Sequence, residues 1–149
     1  MDKKIGIISN NQKEKAIKIA KEIYDYLDKN NCKVLVLKKD KMPQKYSIEG
    51  VEGKEFEREV GYIISVGGDG TFLRASKYGF KREIPIMGVN VGNLGFLAEI
   101  EINKLYTALE KLIKREFKIE DRMLIEGKII RDGKEIDKEN TPYIALNEF

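Results

Sequence analysis

The sequence predicts an α/β fold: an open, mostly parallel sheet with flanking helices, followed by a β-rich segment. Three observations carry this. An apolar run, a helical repeat and a second apolar run follow one another between Lys4 and Leu37. Two further apolar runs, ending at Val66 and Val89, each break off into a glycine-rich turn. Beyond residue 117 the helical periodicity gives way to short apolar stretches around an Asp-Gly pair. A strand, helix, strand unit joins parallel strands by a right-handed crossover, which puts helices over the sheet. At 149 residues the chain has room for one ordinary domain, or one domain and part of a second.

Taken in order, Lys4 to Ser9 reads as a buried strand that stops at Ser9-Asn10-Asn11, a cluster suited to capping a helix. Ala16, Ala20, Ile23 and Leu27, joined by Ile17 and Tyr24, recur at helical spacing, and Asn30-Asn31 ends that helix. Lys33 to Leu37 is the second strand. Residues 39–55 carry Pro43, Gly50 and Gly53 with little periodicity and are expected to form a mobile surface loop, with a short helix ending near Val60. Tyr62 to Val66 and Pro85 to Val89 are the third and fourth strands. A helix opens at Phe72, and Asn103 is expected to cap another that buries Leu105, Leu109, Leu112 and Ile113. Arg131-Asp132-Gly133-Lys134 has the chemistry of a hairpin turn, and strand character resumes from Tyr143 to Phe149. The expected division is an α/β nucleotide-binding domain over residues 1–117 and the beginning of a β-rich domain over residues 118–149.

Composition narrows the chemistry. Without histidine the chain cannot build a Ser-His-Asp or Cys-His pair, a His-ligated zinc or an imidazole proton shuttle, so a general base must be a carboxylate, Lys or Tyr. The lone Cys32 leaves no internal disulfide or CxxC pair and fits a reducing compartment, as a small buried hydrophobe. No apolar run approaches the ~18 residues of a membrane span or forms a signal-peptide core, so a cytoplasmic location is expected. Basic and acidic residues number 28 and 25, which gives no general nucleic-acid signature. Lysines gather at Lys13, Lys15, Lys18 and Lys21 and at Lys38, Lys39 and Lys41; a solvated face explains them, and phosphate steering is the alternative.

Both glycine-rich turns follow strands of one parallel sheet, so both should emerge at its carboxyl edge, where open α/β sheets bind ligands. In Gly67-Gly68-Asp69-Gly70-Thr71 the backbone can approach a phosphate, and the helix that follows offers unpaired N–H groups to an anion. Asp69 would repel that phosphate unless it accepts a proton from an attacking hydroxyl or helps to hold a divalent ion; otherwise it is a helix cap. The motif is not a P-loop, since no Gly-Lys-Thr or Gly-Lys-Ser follows, nor GxGxxG, since Leu73 stands where the third glycine would be.

This pentapeptide resembles the glycine-aspartate signature shared by NAD kinases, diacylglycerol and sphingosine kinases and, in part, phosphofructokinases. The second turn, Gly88-Val89-Asn90-Val91-Gly92-Asn93-Leu94-Gly95-Phe96-Leu97, is similar to the NAD kinase pattern rather than to the Gly-Thr-Gly-Asn-Asp segment of lipid kinases. Ala145-Leu146-Asn147-Glu148 looks like the Asn-Glu pair of the same family. The resemblance implies an ATP- or polyphosphate-dependent NAD kinase that phosphorylates the adenosine ribose 2′-hydroxyl of NAD. It implies Asp69 as catalytic base, and Gly67, Gly68, Gly70 and Thr71 along the phosphate donor. Asp69, Gly70, Phe96, Asn147 and Glu148 would contact NAD: Phe96 near the nicotinamide, Asn147 at the adenine and Glu148 at the nicotinamide-side ribose. Packing is the plainer role for Phe96 and Leu97, and closing a strand end is the plainer role for Asn147. A divalent metal ion, Mg²⁺ in the first instance, is implied as cofactor, no protein ligand set for it is assigned, and the partners implied are NAD and ATP within a homo-oligomer, without nucleic acid or membrane.

The resemblance covers essentially all of this chain but only the first half or so of a family member, so a fragment inactive alone is expected. A lipid kinase of the diacylglycerol or sphingosine type and a non-catalytic dinucleotide-binding module are the alternatives.

Overall fold

The computed structural model describes residues 3–136 and 143–146. Two compact units divide the chain, residues 1–117 and residues 118–149.

In the first unit, five parallel strands form one sheet in the order β2-β1-β3-β4-β5. The strands are β1 (Lys4–Ser9), β2 (Val34–Val36), β3 (Val60–Gly67), β4 (Ile86–Asn90) and β5 (Ile100–Glu101). All eight residues of β3 are buried, as expected of a central strand covered on both faces. The helices are α1 (Glu14–Lys29), α2 (Lys41–Lys45), α3 (Gly53–Glu59), α4 (Asp69–Gly79) and α5 (Leu105–Lys114).

The two-residue alternation of the strands splits the core. Ile5, Ile7, Tyr62, Ile64 and Val66 face one side, where Ala16, Ala20, Ile23 and Leu27 of α1 meet Leu105, Leu109 and Leu112 of α5. Ile8 and Ile63 face the other, against Phe56 of α3 and Ala75 of α4. The strand order reverses direction between β1 and β3, because β2 lies outside β1 while β4 and β5 continue past β3. Crevices at the carboxyl ends of such strands are where doubly wound sheets hold ligands.

Several local expectations are corrected. The Ser9-Asn10-Asn11 cluster does not cap α1, whose N-cap is Lys13 with no side-chain cap bond. Asn10 Oδ1 instead accepts the Gln12 N–H, and Asn11 turns to the loop after β2. Residues 39–55 are not a bare surface loop: α2 buries Met42 and Pro43, and Val51 bridges Leu37. Asn103 lies in a 3₁₀ turn, Ile102–Lys104, that leads into α5 without a side-chain cap.

The second unit holds β6 (Ile125–Gly127) paired antiparallel with β9 (Tyr143–Ala145), and the hairpin of β7 (Ile130–Arg131) and β8 (Lys134–Glu135). At the hairpin turn Asp132 has φ 50° and Gly133 φ 72°. Positive φ at both central residues is the geometry that favours the Asp-Gly pair.

Candidate functional site

The carboxyl ends of β1, β3 and β4 converge. Past β3, α4 begins directly at Asp69, so the N–H groups of its first residues have no acceptor within the helix. Past β1, the loop from Asn10 to Lys13 crosses the neighbouring edge. Between them lies a cleft of about 310 Å³ lined by Asn10, Asn11, Gln12, Lys13, Gly68, Gly70, Thr71 and Arg74. It stands at the reversal of strand order between β1 and β3.

The glycines of the first turn have different reasons. A Cβ on Gly67 would stand 2.4 Å from Thr71 Oγ1 and 3.2 Å from Asn10 Cβ, so Gly67 makes room for the buried threonine. A Cβ on Gly68 or Gly70 would meet nothing within 4 Å, and neither residue has a positive φ. The absent side chains leave open space at the helix N-terminus.

Asp69 does not cap its own helix. Its carboxylate accepts backbone N–H bonds from the second turn: Oδ2 from Phe96 at 3.0 Å, and Oδ1 from Leu97 at 3.0 Å and Ala98 at 3.4 Å. These bonds, those from Phe96 and Leu97 foremost, hold its pKa below the usual carboxylate range against the opposing effect of desolvation. The second turn has its own brace, because buried Asn90 accepts from the Gly92 N–H through Oδ1 and donates through Nδ2 to the Asn93 carbonyl. The two glycine-rich turns are therefore fastened together through one carboxylate. Phe96 is 84% exposed at the outer end of this assembly, so it is not core; the packing falls to Val91 and Ala98 on either side.

Arg74 and Asp40 were not singled out by sequence reasoning. Asp40, at the head of α2, is 2% exposed. Arg74 Nη1 donates to its Oδ1 at 2.8 Å and Nη2 to its Oδ2 at 3.1 Å, while Nη2 also donates to the Ser9 carbonyl at 2.5 Å. Asn11 Nδ2 donates to Asp40 at 3.2 Å, and Asn11 Oδ1 accepts the Lys41 N–H at 2.9 Å. The end of β1, the head of α2 and the first turns of α4 are thus joined behind the cleft. A partner 34 residues away leaves no local pattern to read.

Lys13 lines the same cleft, and the other lysines of its cluster, Lys15, Lys18 and Lys21, do not. Asn147 and Glu148 lie outside the described residues. Among the described residues no group of three or more acidic or cysteine side chains gathers that could hold a metal ion. No helix among them is long and apolar enough to cross a membrane.

Residues 5–117 match the family model of the ATP-NAD kinase N-terminal domain. Over 97% of its length the chain is 33% identical to the NAD kinase of Heliobacterium modesticaldum, covering 49% of that protein. It is 37% identical to the NAD kinase of Moorella thermoacetica over 88% of the chain and 42% of the relative. It is 39% identical to the bifunctional NADP phosphatase/NAD kinase of Methanocaldococcus jannaschii over 98% of the chain and 24% of that protein. The fold is similar to that of yeast NADH kinase, crystallised with NADH, with a TM-score of 0.79 at 16% identity over 95% of this chain and 45% of the other. The chain spans half or less of the length of each of these relatives.

Proposed function

Because the chain belongs to the family of the ATP-NAD kinase N-terminal domain, we propose that it supplies the α/β half of an NAD kinase. That enzyme transfers the terminal phosphoryl group of ATP or polyphosphate to the adenosine ribose 2′-hydroxyl of NAD. The observation that carries this reading is the fastening of Asp69 to the second turn beside the cleft. The open backbone of Gly68 and Gly70, on either side of Asp69 in the chain, is suited to donor phosphates, and exposed Phe96, whose N–H the carboxylate accepts, is suited to the flat nicotinamide end of a dinucleotide.

Asp69 is ionised at neutral pH, as its lowered pKa requires. It accepts the 2′-hydroxyl proton as the new oxygen–phosphorus bond forms and the donor's terminal bridging bond breaks. A weak base serves such a step, because little negative charge develops on the attacking oxygen in a loose phosphoryl transition state. Gly67 and Thr71 shape the turn, and Gly68 and Gly70 leave room for the donor. A divalent ion would arrive on the donor and offset its charge. Asn147 and Glu148 are assigned to the adenine and to the nicotinamide-side ribose. The same reading implies a cytoplasmic homo-oligomer, in line with the lone buried Cys32.

The three N–H bonds to Asp69 also favour a second reading, a dinucleotide-binding module in which that carboxylate is purely structural. Asp69→Asn in the complete protein that carries this chain separates the two. A general base predicts a fall in kcat for NADP formation of about 10²- to 10⁴-fold, beyond any change in NAD affinity. Wild-type protein that binds NAD but forms no NADP from either ATP or polyphosphate would overturn the kinase reading.

A further inference from the structure

We propose that Lys13 recognises the charge of the phosphate donor, as the cation of the cleft that meets the donor's polyphosphate chain. This rests on the reading of the cleft as the donor site. Two cationic side chains line the cleft, Lys13 and Arg74. The Arg74 guanidinium is committed to the Asp40 carboxylate and the Ser9 carbonyl, so its charge is matched within the protein. Lys13 has no such partner among the described residues, and the neighbouring Glu14 carboxylate is paired with Lys45. An incoming polyanion therefore gains a net attraction from Lys13 that Arg74 does not supply.

Position supports the assignment. A Cβ on Gly92 would stand 3.1 Å from Lys13 Nζ, so the ammonium hangs over the second turn while its residue lines the cleft built by the first. A chain of phosphates laid along the N-terminus of α4 passes between the two. The flexible lysine stem suits a ligand whose phosphates shift between the ground state and transfer, and the ammonium acts as a point charge with three donors. The Asp40–Arg74 pair, bonded to Ser9 and Asn11, fixes the loop from which Lys13 projects. The ligand class is a linear triphosphate, free or esterified to a nucleoside.

The test is calorimetric titration of the complete protein that carries this chain with sodium tripolyphosphate and, separately, with ATP and adenosine. Lys13→Gln should weaken tripolyphosphate and ATP binding about tenfold, the loss expected for one charge-assisted hydrogen bond. Lys13→Arg should retain affinity within about threefold, because it keeps the charge. Lys15→Gln, on the exposed face of α1, should change nothing. Tripolyphosphate binding equal to that of ATP identifies the shared phosphate chain as what is recognised; detectable adenosine binding with no tripolyphosphate binding would overturn the proposal. So would unchanged affinity in Lys13→Gln, an equal loss in Lys15→Gln, or no binding by the wild-type protein. NADP formation by the complete protein is scored separately: Lys13-dependent triphosphate binding without NADP formation refutes the kinase reading and leaves the role of Lys13 standing.

Discussion

A Cβ atom on Gly95 would stand 2.4 Å from Oδ1 of Asp69 and within 2.8 Å of the rest of its carboxylate. Only a bare backbone lets the second turn come close enough for the Phe96 and Leu97 N–H groups to reach that carboxylate at 3.0 Å. Gly95→Ala must push the two turns apart or rotate the Asp69 side chain off its donors. The expected outcome is a loss of dinucleotide affinity of tenfold or more, about 1.4 kcal/mol, with the far-ultraviolet circular dichroism unchanged because the five-stranded sheet lies outside the turn. Fluorescence titration with NADH measures it, and unaltered affinity would show that the close approach has no part in binding.

The lowered pKa of Asp69 makes the fastening acid-labile. A folded-state pKa below the unfolded value, about 3.9, means that the ionised carboxylate contributes its full stabilisation above that value. The contribution is lost as pH falls through the lower, folded pKa. The amide protons of Phe96 and Leu97 should therefore hold their chemical shifts from neutrality down to about pH 4 and move together below it. In Asp69→Asn the movement should be absent. Shifts that move near pH 6 in the wild type would mean that the three backbone donors do not engage the charged form.

Gly67 should behave unlike Gly68 and Gly70. Gly67→Ala drives a methyl into Thr71 and should lower stability by about 1–3 kcal/mol, the usual range for overpacking. Gly70 lies in the first turn of α4 with open space around it, so alanine there should raise the melting temperature by a few degrees through helix propensity. The same methyl, like one at Gly68, should raise KM for the phosphate donor in the complete protein. Thermal melts and donor kinetics on the three variants check the contrast, and an unchanged donor KM in both Gly68→Ala and Gly70→Ala would separate this turn from the donor.

These contrasts show where the sequence was legible. The strands β1, β3 and β4 and the helix α1 stand out because long apolar runs and a 3.6-residue repeat are local signals, and the glycine turns follow at their ends. The helix α3, Gly53–Glu59, is the short helix expected to end near Val60, whereas α2, five residues long, is too short to display a period, and Pro43 disguises it as loop. The two-residue β5 escapes for the same reason. Asp69 was legible as a residue with a task, but its hydrogen-bond donors lie 27 to 29 residues away, and no spacing rule connects them. The reading of Ser9-Asn10-Asn11 as a helix cap failed because tertiary partners claimed those side chains: Asn11 serves Asp40 and Lys41.

The second unit yields the last prediction. Among the described residues its two sheets have two strands each, β6 with β9 and β7 with β8, and pairs of that size are marginal in water without further strands or a helix to cover a face. Several of its apolar side chains are exposed: Met123 is 83% exposed, Ile130 70% and Ile119 61%. Unpaired edges beside exposed apolar side chains favour strand addition from another chain. The 149-residue chain alone is therefore expected to self-associate as its concentration rises and to form no NADP. Residues 1–117 hold both core clusters and should fold by themselves, as a monomer with the helix content of α1 to α5. Light scattering on the two lengths, with circular dichroism on the shorter, decides the matter. A monodisperse, active monomer at 149 residues would show that the second unit is satisfied as it stands, and self-association of residues 1–117 would move the sticky surface onto the α/β unit.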